Sequence, residues 1–453
     1  MTDHNTQLNP EENLSLIQPK TTQSKRIVLT TFGSLGDLYP YLAIAQGLKK
    51  RGHLPLIATS ERYRKPVEAQ GIEFYPVRPD SLPDFEREGE FLSLMIPQGR
   101  AIEYVICYML MPHLRASYAD LMAATAGADL LITHPLTVAG SLVAEKIGIP
   151  WVSSILSPYS FLSAYDLQSY LWSGNIPLSD YEKIQVTGMQ DGITRHFQWQ
   201  SRFFFAPWRQ LRKELGLAPS CNPLVSDLQS PYLVLALFSE LLAAPQQDWP
   251  SPNMIAGFPF YRPQNSEGLS AELMQFLDSG EPPITFTLGS LAVMSPGNFY
   301  VEAATALKEL GYRAVLLMGK EAGQVSSELL PEGTIAVDYA PHSELFPRSM
   351  AIVHHGGVGT TGEAMLSGRP MLIVPDDFDR YDNAARVVSL GIARQVNRDR
   401  YSAAVLAAEL KQLLFDPVYQ ERAASVGSLL QAEDGVGVAV DAIEGLLGVG
   451  IHN

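Results

Sequence analysis

The first half of the chain alternates short apolar runs with helical patterns. Apolar, β-prone residues fill 26–32, 54–59 and 72–77, and runs of this length bounded by glycines predict buried strands. After a mainly helical stretch at 81–126, strand patterns return at 129–133, 150–156 and 232–238. Strands that alternate with helices at this spacing predict a parallel, doubly wound sheet of the α/β class.

The second half repeats this alternation after an interruption. Pro245, Pro250, Pro252 and Pro259 break both kinds of periodicity, so we expect a domain boundary there. Strand patterns then occur at 284–288, 314–318, 334–338, 351–353 and 371–374, a helix is predicted at 298–310, and closing helices at 402–447. The predicted segments are a disordered polar tail 1–24, a first domain 25–243, a linker 244–262, a second domain 263–436 and a closing helix 437–453.

A glycine-rich loop follows the apolar run 351–353. The chain continues as His354-His355-Gly356-Gly357-Val358-Gly359, which predicts a strand that turns tightly into a helix. Thr360 or Thr361 could cap that helix, Glu363 would lie in its first turn, and Gly368 would end it. Free backbone N–H groups and the positive end of a helix dipole would then meet at one point, which suits a phosphate.

The same loop also fits a dinucleotide fingerprint. Gly357, Gly359 and Gly362 have the required spacing, and Asp376 follows, so an NAD-dependent oxidoreductase is an alternative. The histidine pair before the loop and the glutamate inside the helix are features that this fingerprint does not demand.

Composition narrows the classes of partner. The 453 residues carry a net charge of −15, which disfavours nucleic acid and any general attraction to anionic membranes. Cys107 and Cys221 make neither a disulfide framework nor a metal motif, so a cytoplasmic location is expected. The tail has no signal-peptide pattern, and no apolar run is long enough to span a membrane, although peripheral contact stays open.

The glycine loop and its surroundings resemble a known donor signature. The run His355-x-Gly357-x-x-Thr360-x-x-Glu363, followed by Asp379-x-x-x-Asn383-Ala384, resembles that of the family 1 glycosyltransferases, the UDP-sugar-dependent group that includes plant natural-product, macrolide, sterol and rhamnolipid enzymes. The resemblance implies the GT-B fold, in which two Rossmann-like domains face each other across a cleft. Domain 25–243 would bind the acceptor, domain 263–436 the nucleotide-sugar, and helix 437–453 would pack back towards the first domain.

The resemblance implies which residues bind the phosphates and the ribose. His355 would bond the α-phosphate, amides at Gly357, Gly359 and Thr360 would hold the phosphates, and Ser290 would reach the β-phosphate. Glu363 would accept two hydrogen bonds from the ribose cis-diol, which favours UDP over dTDP.

The resemblance also assigns the uracil and the sugar. In Tyr339-Ala340-Pro341-His342, Tyr339 would stack on uracil and His342 replaces the usual glutamine. Asp379 would contact the sugar, but Arg380 replaces another expected glutamine and cannot accept a hydrogen bond. Either Arg380 pairs with Asp376 or Asp382, or the sugar carries an acidic group.

The run Asp377-Phe378-Asp379 matches the Asp-x-Asp motif that holds a metal ion in metal-dependent transferases. Because it follows a strand inside the donor signature, we expect no metal and no cofactor besides the UDP-sugar co-substrate.

Transfer with inversion needs a base in the acceptor domain. Asp37 follows the first strand, where related enzymes place a base, and strand ends are where ligands meet doubly wound sheets. A helix-terminal aspartate that offsets the dipole is the alternative. His134, at another strand end, either assists Asp37 or lines the pocket.

These observations predict a metal-independent, inverting glycosyltransferase that moves a hexose from UDP to a hydroxyl of an apolar small molecule or lipid. Apolar residues of 81–126 and 160–208 would line the acceptor site, although the aromatic run 202–209 fits core packing as well. A UDP-sugar isomerase of the same form and a non-catalytic sugar-nucleotide sensor are further alternatives.

Overall fold

The structure is a computed structural model. It describes residues 24–80, 101–163, 165–166, 199, 202–220, 223–224, 227–263, 268–293, 296–319, 330–376 and 379–448. Residues 1–23 of the predicted tail 1–24 therefore lie outside the described residues, as does the end of the chain from 449. Parts of the predicted acceptor regions 81–126 and 160–208 lie outside them as well.

Seven parallel strands form the first sheet, in the spatial order β3-β2-β1-β4-β5-β6-β7. Their central members are almost fully buried apolar runs, as strands covered on both faces must be. The strands are β1 Arg26–Thr30, β2 Leu54–Thr59, β3 Glu73–Pro76, β4 Leu130–Thr133, β5 Trp151–Ile155, β6 Val234–Ala236 and β7 Asn253–Ile255. The helices are α1 Leu35–Lys50, α2 Arg64–Glu68, α3 Ala101–Tyr104, α4 Leu114–Ala124, α5 Gly140–Ile147 and α6 Ala206–Glu214, with a π-helical turn at Val105–Leu110.

The second sheet has six parallel strands in the equivalent order, β10-β9-β8-β11-β12-β13. Its strands are β8 Ile284–Thr287, β9 Ala314–Leu317, β10 Thr334–Val337, β11 Ala351–His354, β12 Met371–Ile373 and β13 Ala393–Gln395. The helices are α7 Ala271–Asp278, α8 Gly289–Ala292, α9 Phe299–Leu310, α10 His342–Leu345, α11 Val358–Leu366, α12 Arg380–Ser389, α13 Ala403–Phe415, α14 Pro417–Gln431 and α15 Gly435–Leu446. The two doubly wound sheets predicted from the sequence are both present.

Three local features differ from the sequence expectations. Strand β7 lies inside the range predicted as a linker, where it pairs with β6 at the edge of the sheet. Edge strands tolerate neighbouring prolines because only one side needs ladder hydrogen bonds. Helix α11 has Gly357 as its N-cap without a side-chain bond, and Glu363 lies beyond its first turn, so the expected threonine cap is wrong.

Helix α1 starts at Leu35, and Pro40 lies inside it, although proline is favoured at the first position of a helix and Pro40 would by itself predict a start there. Ser34 caps the helix: its hydroxyl accepts from the Gly36 amide, while the Asp37 carboxylate accepts from the Ser34 amide. This capping box satisfies donors at the start of the helix and explains why the helix begins before the proline.

The closing helix α15 packs on α1 of the first domain. A Cβ at Gly47 would lie 2.7 Å from Val436, so glycine permits the close approach. Glu444, only 2% exposed, accepts from Arg51 at 2.7 Å and contacts His53 Nε2 at 2.9 Å. A carboxylate buried in this way is stabilised by its partners and costs free energy without them.

Apolar packing also joins the two domains. One continuous cluster of buried residues contains Phe161, Phe238 and Trp249 of the first domain with Ile352 and Ile373 of the second. Phe161 stacks on Trp249 with ring centroids 3.9 Å apart. The strand ends of both sheets are therefore held on opposite sides of a packed interface.

The contact between α15 and α1 predicts unequal costs for two carboxylates that share Arg51. Glu444→Ala leaves His53 and part of Arg51 unpaired in a buried place, so we expect the free energy of unfolding to fall by about 3 kcal/mol. Asp441→Ala removes only the exposed partner and should cost less than about 1 kcal/mol. Urea unfolding of both variants measures the difference; equal losses would contradict this description of the interface.

Candidate active site

Asp37 and His134 meet at the carboxyl ends of neighbouring strands. Asp37 lies in the first turn of α1, just after β1, and His134 directly follows β4. His134 Nε2 is 3.2 Å from Asp37 Oδ1. The Asp37 side chain is 30% exposed, so its carboxylate can be reached from the cleft.

The backbone fixes how these two groups share protons. His134 Nδ1 accepts a hydrogen bond from the Leu136 amide at 3.0 Å. In a neutral imidazole the other nitrogen then carries the proton, so Nε2–H donates to Asp37. His134 therefore orients the carboxylate, and Asp37 is the member of the pair that can accept a further proton.

Opposing effects set the ionisation of Asp37. Burial favours the neutral acid, but the hydrogen bond and electrostatic attraction of the His134 ring N–H and the bonds from the Ser34 amide and hydroxyl outweigh it, so the pKa of Asp37 lies below its ordinary value. Asp37 is thus both part of a helix cap and an ionised group facing the cleft. The two interpretations offered by the sequence are compatible.

The two histidines before the glycine loop have different surroundings. His354 is fully buried, and its Nδ1 accepts from the Gly356 amide at 3.1 Å. His355 is 7% exposed, and its Nδ1 has no hydrogen-bond partner among the described residues. A buried polar nitrogen without a partner is costly in the free protein. His355, unlike His354, therefore has a ring nitrogen that no described residue satisfies.

Burial keeps the imidazole of His355 neutral. It lowers the pKa of His355 well below the ordinary value, and the charge of Arg380 and the neighbouring histidines add to this effect. A neutral imidazole still offers one N–H donor. His355 can therefore donate a hydrogen bond without changing charge at neutral pH.

Gly289 brings the Ser290 loop against His355. Gly289 has φ +69°, and a Cβ there would lie 2.6 Å from His355 Cε1, so both the backbone and the contact require glycine. Ser290 is exposed in the first turn of α8. The two residues assigned to the two phosphates thus lie on adjacent loops.

The beginning of α11 is open. A Cβ at Gly359 would meet no atom within 4 Å, and Gly357 caps the helix with its backbone alone. Thr361 donates back to the Gly357 carbonyl at 3.0 Å, and Thr360 is nearly buried. Exposed amides at a helix N-terminus form an anion site.

Arg262, which the sequence analysis did not single out, pairs with Glu363, the carboxylate assigned to the ribose. Arg262 donates from both terminal nitrogens to the two oxygens of Glu363, at 2.5 and 3.1 Å. Burial raises the pKa of Glu363, and Arg262 opposes that rise. No motif marks Arg262, because it reaches Glu363 from the end of the predicted linker, about 100 residues away in sequence.

The two residues assigned to uracil point in different directions. Tyr339 is 68% exposed. Partial burial of its hydroxyl raises its pKa, and the nearby charge of Glu363 adds to that rise. His342 stacks on Phe346 with ring centroids 4.3 Å apart, and burial lowers its pKa to about 4. Tyr339 is thus free to stack on a base, whereas the imidazole face of His342 is already engaged.

Arg380 turns to Asp376, the first alternative raised by the sequence. Its guanidinium forms an ion pair with the Asp376 carboxylate, whereas Asp382 pairs with Arg386. Burial raises the pKa of Asp379, and the negative charge of Asp37 is a smaller contribution in the same direction. Asp37 and Asp379 are therefore close enough across the cleft to sense each other's charge.

The acceptor domain has a small cavity next to the end of β1. Its volume is about 20 Å³, and it is lined mainly by apolar side chains, together with Arg78 and a few hydroxyls. Phe32 and Thr31 lie at its β1 side, and Leu110, Leu121 and Val138 at its helical side. Phe205 and Trp208 of the aromatic run are fully buried in the core, so for these two residues the packing interpretation holds.

Within the described ranges, no helix is both long and apolar enough to cross a membrane. The same part of the chain contains no group of three His, Cys, Asp or Glu side chains suited to a metal ion. Asp377 and Phe378 lie outside the described residues.

The buried histidines predict acid sensitivity. Burial lowers the pKa of His354 to about 3, whereas the unfolded chain protonates it near its ordinary value of about 6.5. The unfolded state therefore binds more protons between these values, and the free energy of unfolding falls as the pH falls through this window. His354→Asn keeps an acceptor for the Gly356 amide. Between pH 7 and pH 5 its free energy of unfolding should fall by about 2 kcal/mol less than that of the wild type.

Urea unfolding at the two pH values measures this loss. His113→Asn, which changes an exposed histidine, is the control and should behave as the wild type. An unchanged acid loss in His354→Asn would show that His354 does not titrate as described.

Profiles of two glycosyltransferase families match the chain. Residues 27–165 match the glycosyltransferase family 28 N-terminal domain. Residues 305–434 match the erythromycin biosynthesis protein CIII-like C-terminal domain. The first range carries Asp37 and His134, and the second carries the glycine loop.

Curated relatives cover nearly the whole chain. It is 31% identical over 434 residues to the O-mycaminosyltylonolide 6-deoxyallosyltransferase of Streptomyces fradiae, covering 92% of this chain and 97% of the relative. It is 27% identical over 447 residues to a sterol 3-beta-glucosyltransferase of Aspergillus terreus, covering 95% of this chain. The chain spans only 30% of that second, longer relative.

Solved structures confirm the GT-B fold. The kitacinnamycin glycotransferase superposes with a TM-score of 0.70 at 20% identity, over 94% of this chain and 99% of that one. The glycosyltransferase VinC in complex with dTDP gives a TM-score of 0.65 at 21% identity, over 94% and 100%. The oxidoreductase interpretation of the glycine loop is therefore wrong, because the chain belongs to the family 1 glycosyltransferases and is a glycosyltransferase.

Proposed function

We propose that this glycosyltransferase moves a neutral hexose from UDP to a hydroxyl of an apolar acceptor, with inversion and without a metal ion. The observation that carries the proposal is the buried His355 imidazole, whose Nδ1 has no partner among the described residues. It lies where the glycine loop enters α11, opposite the Asp37 and His134 pair.

The leaving group needs stabilisation because negative charge grows on the nucleoside diphosphate during transfer. His355 supplies a neutral N–H, the first turn of α11 supplies amides, and the helix dipole adds a positive potential. Ser290 extends the same surface towards the second phosphate. These groups act in place of a cation.

The ribose binds at Glu363, whose two oxygens can accept both hydroxyls of a cis-diol. Arg262 engages both oxygens in the free protein, so a diol takes the place of the guanidinium on binding. Tyr339 stacks on the base beside it. A 2′-deoxyribose offers one hydroxyl fewer, and this difference favours UDP.

The acceptor hydroxyl gives its proton to Asp37 as its oxygen attacks the anomeric carbon. The carbon–oxygen bond to the acceptor forms while the bond from the sugar to the diphosphate breaks, and UDP leaves with that electron pair. His134 keeps its N–H on the carboxylate and orients it throughout. Attack from the face opposite the leaving group inverts the anomeric configuration.

The sugar is a neutral hexose in this proposal. Arg380 is already paired with Asp376, so it has a carboxylate partner and does not need a uronate. Asp379 recognises sugar hydroxyls instead.

The acceptor is a hydroxylated apolar molecule of the sterol or macrolide kind. The names of the relatives, a sterol glucosyltransferase and a tylonolide deoxyallosyltransferase, support this class. The reaction is proposed to take place in the cytoplasm, with peripheral contact to a membrane where the acceptor is a lipid. The Asp37 and His134 pair favours transfer over a sensor, which would need no base.

Asp37→Asn tests the base. Ser34 still caps α1, and the amide oxygen of the introduced asparagine can still accept from the Ser34 amide. An amide cannot accept the acceptor proton, so we expect kcat with UDP-glucose to fall by about 10²- to 10⁴-fold. The Kd of UDP and the melting temperature should stay unchanged. Asp441→Asn, at an exposed carboxylate, is the matched control. Full transfer activity in Asp37→Asn would contradict the assignment.

Glu363→Gln tests ribose recognition. Losing one charged acceptor should weaken UDP binding about tenfold and 2′-deoxy-UDP binding much less, so the ratio of the two Kd values should fall. Calorimetric titration of both nucleotides measures this ratio. Glu309→Gln, at an exposed glutamate, should leave it unchanged, and equal weakening of both ligands by Glu363→Gln would rule out diol recognition.

A further inference from the structure

Helix α12 belongs to the donor domain but also contacts the acceptor domain. Asp379 and Arg380 stand at its N-terminus, beside the proposed sugar site. About two turns later, Arg386 donates to the Asp166 carboxylate of the acceptor domain at 2.6 Å, with both groups buried. The proposed sugar site and the domain contact thus lie about two turns apart on one short helix.

Asn383 connects these two functions. Its Nδ2 donates to Asp379 Oδ2 at 2.9 Å and to the Gly356 carbonyl at 3.0 Å. Its Oδ1 accepts from the Ser157 hydroxyl at 3.2 Å. Both amide protons and the carbonyl oxygen therefore have partners, which fixes the orientation of the amide.

Ser157 brings the acceptor domain into this network. It follows β5 by two residues and is almost completely buried. Because Asn383 is fully buried as well, water cannot replace the bond between them without a change in packing. Networks of buried polar groups that are fully satisfied hold their members rigidly.

We infer that Ser157 and Asn383 are positioning residues for sugar recognition: through Asn383, a serine of the acceptor domain holds the Asp379 carboxylate in place for the donor sugar. This inference rests on the proposed function. Asp379 then has its productive orientation only while the two domains are in contact through Ser157.

A second observation supports the link from Ser157 to Asp379. Burial raises the pKa of Asp379, whereas the hydrogen bond from Asn383 and the nearby hydroxyl of Ser157 lower it. The serine hydroxyl therefore lies close to the carboxylate, while its single proton is donated to the amide oxygen of Asn383. Removing it would leave Asp379 with weaker support for its ionised form.

A positioning role and a general structural role predict effects on different ligands. Asp379 recognises the sugar, whereas the nucleotide is held by Glu363 and the glycine loop. Loss of Ser157 should therefore weaken the binding of a nucleotide-sugar while the bare nucleotide binds as before. The ion pair of Arg386 with Asp166 still holds the domains together in such a variant.

Ser157→Ala tests the inference, with Ser153→Ala as the matched control. Ser153 is a buried serine on β5 whose hydroxyl accepts from the Ser230 amide, within the acceptor domain. Calorimetry gives the Kd of UDP-glucose and of UDP for both variants and the wild type, and steady-state kinetics gives kcat and KM. Ser157→Thr, which keeps the hydroxyl, should restore sugar binding.

We expect Ser157→Ala to weaken UDP-glucose about three- to tenfold and to change the Kd of UDP by less than about twofold. Asn383→Asp, which places a carboxylate against Asp379 and the Gly356 carbonyl, should have a larger effect of the same kind. Ser157→Ala behaving as Ser153→Ala, or weakening both ligands equally, would overturn the inference alone. Wild-type protein without saturable UDP binding would overturn the proposed function and the inference with it.

Discussion

The candidate site residues of this protein lie just after the carboxyl ends of parallel strands. The rest of the structure depends on this placement. In a doubly wound sheet every strand points the same way, so the loops after the strands open at one edge. Asp37 follows β1, His134 follows β4, and Ser157 follows β5. In the second sheet, Ser290 follows β8, His355 follows β11, and Asp379 precedes α12 beyond β12. Two such edges facing each other bring the proposed base, phosphate site and sugar site together.

Hydrogen bonding and burial set the charges in the cleft. Asp37 is ionised because His134 and Ser34 donate to it, and His355 is neutral because it is buried and lies near the positive charge of Arg380. The positive potential at the phosphate site therefore comes from amides and the helix dipole, which do not titrate. A site built in this way keeps its charge pattern across the neutral pH range, although the same buried histidines make the fold sensitive to acid.

Local periodicity and strand-end motifs were enough to predict both sheets, the glycine loop and the Asp37 position, because each depends on residues close in sequence. The capping box of α1 has the sequence pattern Ser34-x-x-Asp37, which is local as well. Arg262 and Ser157 were not predictable. Each acts on a residue about 100 or more positions away, and no single sequence records such contacts. For Arg380 the sequence left two alternatives, an ion pair with a nearby aspartate or recognition of an acidic sugar. Its pairing with Asp376 depends on the direction of its side chain, which periodicity does not determine.

The configuration of the product tests the central claim most directly. Purified protein is incubated with UDP-α-glucose, a hydroxylated sterol or macrolide aglycone and an excess of EDTA, and the anomeric proton of the product is examined by NMR. Direct attack by an acceptor deprotonated at Asp37, with the diphosphate held by His355 and helix α11, predicts a β-glucoside formed at the same rate with and without EDTA. An α-glucoside, or a rate that falls when EDTA is added, would contradict the account.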